Sequence, residues 1–127
     1  MSRVVVDASA LLAVLRSETG RERVEPVLEG AAIGAVNLSE VVAKLVEDEV
    51  PEGAIRAAID RLGLEVHPFD GEQACAAGAL RRQTRAYGLA LGDRACLALA
   101  RHLGARALTA DRSWSRLDLD VPVELIR

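Results

Sequence analysis

The stretch VVVDASALLAVL, residues 4–15, sets three valines against an aspartate and follows it with a run rich in Ala and Leu. A short, continuous β-branched run is the pattern of a strand buried on both faces, as in a parallel sheet. Residues 3–6 therefore read as a strand. Residues 9–18 read as a helix, with Leu11, Leu12 and Leu15 on one stripe. Asp7 stands where strand gives way to helix, and that position raises the question of what a carboxylate does there.

The same alternation runs through the rest of the chain. A short helix is expected over 21–30, with Pro26 best placed in a first turn. Residues 31–36 (AAIGAV) read as a second strand, and 37–50 (NLSEVVAKLVEDEV) as a helix with Leu38, Val41, Val42 and Leu45 at i, i+3, i+4 and i+7. Pro51 opens a further helical stretch, and 64–69 supply a third strand. Asp70 and Gln73 make a capping signal for a helix over 70–87, and GDRACLALARHLG (92–104) is another helix. Residues 105–110 and 121–126 complete the strands. Strands separated by helices pair in parallel through right-handed crossovers. The expected fold is α/β, a three-layer sandwich whose central, mostly parallel sheet of about five strands is flanked by helices.

Composition narrows the class. A chain of 127 residues fits one domain, 1–127, and with one each of Trp, Tyr and Phe its core must be aliphatic. No apolar run approaches the roughly 18 residues of a membrane span, and the N-terminus lacks a signal-peptide layout. Cys75 and Cys96 form neither a CxxC pair nor a disulfide framework. A reduced, soluble, cytoplasmic protein is expected. Net charge is −3 and the pI about 5.4, so a general attraction to nucleic acid is absent, although an acidic pocket with a basic rim is compatible with it.

Parallel sheets place their sites outside the carboxyl ends of the strands. Asp7 follows the first strand, Glu40 opens the helix after the second, Asp93 lies at the start of the 92–104 helix, and Asp111 follows the strand ARALTA. Each has a structural explanation. Asp7 suits a helix N-cap. Asn37 and Glu40 match a capping-box-like N-x-x-E, with Lys44 at i+4 as an ion partner. Asp111 suits a turn. Asp93 resists this reading, because it sits three residues before Cys96 on the inward face of its helix.

Taken together the acids say more. Two carboxylates about 4 Å apart repel by roughly 4 kcal/mol at an effective dielectric near 20, so a cluster needs protons or cations. Carboxylate oxygens without His or Cys nearby suit Mg²⁺, or Mn²⁺ in its place. His67 in a strand and His102 far along a helix are poorly placed to join, which disfavours zinc. The chemistry implied is phosphoryl transfer or phosphodiester hydrolysis.

The segments VVVDASALLAVL, NLSEV, LGDRACLALA and LTADRSW resemble, in order and context, the PIN-domain nucleases, and among these the VapC-type toxins of toxin–antitoxin pairs. The likeness extends from residue 4 to the last strand. It implies a PIN-like fold and a Mg²⁺- or Mn²⁺-dependent endoribonuclease. Asp7, Glu40, Asp93 and Asp111 would be its metal-binding acids, with Ser9 and Thr109 as supporting polar residues. It also implies an RNA substrate, a cognate antitoxin and a homodimer. Where some relatives carry a further acid, this chain reads RSWS, and Asp118 and Asp120 are better assigned to a solvated loop.

Arg81, Arg82 and Arg85 lie off the Leu80/Thr84/Tyr87 stripe and read either as solvated helix charge or as a rim that contacts RNA phosphates. Arg94 and Arg112 each follow a candidate ligand and would reach phosphate or neutralise the acid beside them. Trp114 is either a stacking platform or a packing anchor. A non-catalytic PIN-like module that assembles with a protein partner is the alternative, but the four retained acids favour an enzyme. A haloacid-dehalogenase-like phosphatase would need an acid where Ser9 stands, and no nucleotide-binding glycine loop is present.

Overall fold

The computed structural model describes residues 3–127. Its five strands are β1 (Val4–Val6), β2 (Ala32–Gly34), β3 (Glu65–His67), β4 (Arg106–Thr109) and β5 (Val123–Leu125). They form one sheet in the order β3-β2-β1-β4-β5, with every pairing parallel. The helices are α1 (Ala8–Leu15), α2 (Arg21–Val24), α3 (Ala35–Glu47), α4 (Glu52–Asp60), α5 (Gly71–Ala79), α6 (Arg81–Thr84) and α7 (Leu91–Leu103). The three-layer α/β sandwich anticipated from the sequence is the architecture found.

Period-two alternation divides the strand side chains between two cores. Val4, Val6, Ile33 and Leu108 face a layer built on Leu11 of α1, Val24 of α2, Val41 and Leu45 of α3, and Ile55 of α4. Val5, Ala32 and Ala107 face the opposite layer, where Ala77 of α5 packs with Cys96, Leu97 and Ala100 of α7. Fully burying one such aliphatic side chain contributes about 1.5–3 kcal/mol. Small alanines on the second face let α7 lie close against the sheet. That helix ends at Gly104, whose φ of 63° is the left-handed C-terminal conformation glycine adopts without strain.

The order of the strands fixes where a site lies. From β1 the chain adds β2 and β3 on one side, then crosses to place β4 and β5 on the other. The direction of winding therefore reverses between β1 and β4, and the crevice at their carboxyl ends is the switch point where open α/β sheets bind ligands.

Element boundaries depart from the sequence expectation in instructive places. The helix expected from residue 37 begins at Ala35, with Gly34 as its N-cap, so β2 is only three residues long. The expected helix over 21–30 stops at Val24, and a 3₁₀ turn containing Pro26 follows. The single helix expected over 70–87 is three pieces: α5, α6 and a 3₁₀ turn over Arg85–Tyr87. Gly78 weakens the helix before the break, and the Thr84 hydroxyl donates back to the Leu80 carbonyl at 2.8 Å, a bond that bends helices. The Asp70 cap is found as expected, accepting from the Gln73 amide at 3.0 Å. Among the described residues, no helix is long and apolar enough to cross a membrane.

Candidate active site

Asp7 extends the β1–β4 ladder by one residue. Val6 pairs with Leu108, and the Asp7 amide donates to the Leu108 carbonyl at 2.9 Å, so the Asp7 side chain emerges beside Thr109. Asp7 occupies the N-cap position of α1, yet its side chain makes no capping bond. It accepts instead from Ser9 Oγ at 2.8 Å and Thr109 Oγ1 at 2.9 Å, both at Oδ2. Each hydroxyl in turn accepts a backbone amide of the turn after β4: Ser9 from Ala110 at 2.9 Å, Thr109 from Asp111 at 3.1 Å. Two hydroxyls thus tie the buried carboxylate to the loop that presents Asp111.

Asp111 is exposed and caps the 3₁₀ turn Arg112–Arg116 by accepting from the Ser113 amide at 3.0 Å and the Ser113 hydroxyl at 2.7 Å. Glu40 belongs to a second cluster. Asn37, fully buried, donates through Nδ2 to Glu40 Oε1 at 3.0 Å and to the Gly92 carbonyl at 2.9 Å. The capping role expected of Asn37 is absent because α3 begins two residues earlier, and its amide joins α3 to the start of α7 instead. Lys44, expected to pair with Glu40, pairs with Glu47 at 3.7 Å. Gly92 lies so close to Glu40 that a Cβ there would overlap the carboxyl group. Asp93, next along, holds the first turn of α7 by accepting the Ala90 amide at Oδ2, 2.9 Å away.

The charges act between particular pairs of these acids. Burial raises the Asp7 carboxyl above its ordinary range; the Ser9 and Thr109 hydroxyls oppose this, and the Glu40 charge adds to it. Burial also raises Glu40, against the Asn37 amide and with the repulsion of Asp93. Asp93 is raised by burial too, its Ala90 bond opposing, with Asp7 and Asp111 both repelling. Beneath them the buried Cys96 thiol is pushed well up, first by desolvation and then by Asp7, Asp93 and Glu40. Lys44 near Glu40 and Arg94 near Asp93 offset the repulsion between the acids only in part. Among the described residues, however, no three acids converge closely enough to make a ready-formed ion cage.

The remaining candidates lie elsewhere. Arg94 points its Nη1 at the Ala77 carbonyl, 3.1 Å away at the end of α5, while Arg112 is exposed beside Asp111. Arg81, Arg82 and Arg85 line a separate cleft. His67 and His102 line another small cleft with Asp70, away from the four acids. Trp114, 1% exposed, is a packing anchor. Two residues escaped the sequence reading as parts of the site, Asn37 and Gly92. The available signal for Asn37 was its place four and eight residues before Val41 and Leu45, a polar group on a buried stripe.

The PIN domain family profile matches residues 4–119. No curated protein matches the chain in sequence. Solved structures similar in fold include a toxin–antitoxin complex from Klebsiella pneumoniae, 19% identical over 98% of both chains with a TM-score of 0.77. A DNA-bound VapBC from Salmonella typhimurium is 19% identical over the whole of both chains, TM-score 0.75. VapBC-5 from Mycobacterium tuberculosis is 21% identical over 100% of this chain and 99% of its own, TM-score 0.59. At such identities the likeness establishes the fold, and the family rests on the profile that spans nearly the whole chain: this protein belongs to the PIN domain family.

Proposed function

We propose that the protein is a divalent-cation-dependent endoribonuclease that hydrolyses RNA phosphodiester bonds, and that it is the toxin of a toxin–antitoxin pair. The observation that supports this reading is a set of carboxylates held by neutral donors: Asp7 by Ser9 and Thr109 at the end of β1, Glu40 by Asn37, and Asp93 by the Ala90 amide, with burial raising each and a neighbouring acid adding to it. These three acids hold their protons more tightly than exposed carboxylates do, which is the condition a bound cation relieves. The donor set is all oxygen, and the one soft donor nearby, Cys96, is buried with its thiol held protonated. Those residues fit Mg²⁺, with Mn²⁺ able to substitute, and do not suit zinc.

A divalent ion held by Asp7, Glu40, Asp93 and Asp111 would supply charge stabilisation to the phosphoryl oxygens and a more acidic water. The chain's own part is positioning. Asp7, Glu40 and Asp93 are each held through one oxygen by neutral donors: the Ser9 and Thr109 hydroxyls, the Asn37 amide and the Ala90 amide. Arg112, exposed beside Asp111, would meet substrate phosphate in this reading.

The fold likeness to toxin–antitoxin complexes supports an antitoxin partner; a cytoplasmic homodimer belongs to the same proposal. The test is incubation of total RNA with purified protein in Mg²⁺, Mn²⁺ or EDTA. Discrete fragments that require a divalent ion are expected. Silence in every condition, or cleavage that survives EDTA, would overturn the reading in favour of a non-catalytic PIN-like module.

A further inference from the structure

Residues 73–92 contain three arginines and no acidic residue, whereas the rest of the chain has 13 basic against 19 acidic residues. The structure gathers this charge at one place. Arg81, Arg82 and Arg85, with Gln83, Gly78 and Ala79, line an open cleft of about 680 Å³ beside α6. All three arginines are exposed, and among the described residues none pairs with an acid. Arg3, Arg16, Arg101 and Arg106, by contrast, are each neutralised by a carboxylate.

A second observation falls on the same segment. Tyr87, the only tyrosine, is 40% exposed at its end, while Trp114 is buried and Phe69 half-buried. The back of the segment is fixed: Leu80, Thr84 and Leu89 are buried, and Thr84 is bonded to Leu80. Both flanks lead to the acids. Arg94, adjacent to Asp93, holds the Ala77 carbonyl just before the cleft, and the Ala90 amide just after it donates to Asp93. Five residues from Arg85 to Ala90 span at most about 18 Å.

We propose that Arg81–Tyr87 is an arm that grips single-stranded RNA and delivers it to the acidic centre. The guanidiniums take backbone phosphates and the Tyr87 ring stacks on an unpaired base. The substrate class rests on the ribonuclease reading above. Single strands are specified because a duplex hides its base faces from an aromatic side chain, whereas a splayed strand offers them. Unpaired arginines bind phosphate through charge-assisted bonds that salt weakens.

The test is fluorescence anisotropy with a short labelled single-stranded RNA in EDTA, so that neither cleavage nor cation binding enters the result. Changing Arg81, Arg82 and Arg85 together to Gln is expected to weaken binding and to flatten the slope of log K against log salt by about 2. The same three changed to Lys should keep most of the slope. Tyr87→Ala should weaken binding about 5-fold or more, Tyr87→Phe should not, and the tyrosine effect should vanish with the annealed duplex. All these side chains are exposed, so melting temperatures should match wild type. Unchanged affinity and slope in the triple Gln variant would overturn the arm and leave an acidic protein as the better occupant. Failure to cleave RNA in both Mg²⁺ and Mn²⁺ would sink the ribonuclease reading without touching this binding result.

Discussion

At the scale of single residues, the acids separate into those visible in sequence and the neighbours that hold them. Asp7 was legible because a carboxylate at a strand-to-helix junction is conspicuous; Asn37 and Gly92 were not, because their contact joins residues 55 apart and the N-x-x-E spacing imitates a cap. Gly92→Ala is expected to leave the fold intact and to lower RNA cleavage on the order of 10²-fold, since the new methyl displaces the flexible end of Glu40 from its Asn37 bond. Asp93→Asn should lower cleavage at least about 10²-fold while keeping the amide contact to Ala90. It should also stabilise the cation-free protein at neutral pH. Asp7, Glu40 and Asp93 have folded pKa values above their unfolded ones, so the folded state binds more protons, and stability falls as pH rises from about 4 through the folded values. Urea unfolding across that window should show wild type losing more stability than Asp93→Asn. A larger loss in the variant would contradict the sign.

At the scale of elements, the strand ends matter more than the strands. Thr109 closes β4, donates to Asp7 and accepts the Asp111 amide, so it couples a buried acid to an exposed one. Thr109→Val removes both bonds at nearly constant shape and should cost about 1–3 kcal/mol in urea unfolding. Losing a donor raises the Asp7 proton affinity further, so the acidic limb of the cleavage pH profile should move to higher pH; an unmoved limb would show that Asp7 does not titrate in the reaction. Strand and helix types followed from periodicity, and α7 and α3 were read almost whole. The 70–87 break was hidden because its local signals, Gly78 and the Thr84 hydroxyl bonding back to Leu80, are weak against the helical periodicity, and the burial of Leu80 and Thr84 and the reach of Arg94 to Ala77 that fix the bend are tertiary. The early start of α3 was hidden because Gly34 serves as N-cap and no polar side chain marks the site.

At the scale of the whole molecule, alternating strands and helices were enough to expect a parallel sheet, but the order β3-β2-β1-β4-β5 is a property of the fold, and that order sets Asp7 at the end of β1 beside the Thr109–Asp111 turn at the end of β4. The result is a protein with negative charge at its switch point and an arginine cleft on the neighbouring α6. A cation that binds only the folded state stabilises it by mass action, about 2.7 kcal/mol at a hundredfold excess over Kd. Mn²⁺ should therefore raise the wild-type melting temperature, and EDTA should reverse the gain. The most direct measurement is titration of Mn²⁺ into wild type and Asp93→Asn, with free Mn²⁺ read by electron paramagnetic resonance and the fold of both checked by circular dichroism. Saturable binding to wild type that is lost or sharply weakened in Asp93→Asn is the expected result. Equal binding by the two folded proteins, or none by either, would contradict a cation centre built on these acids.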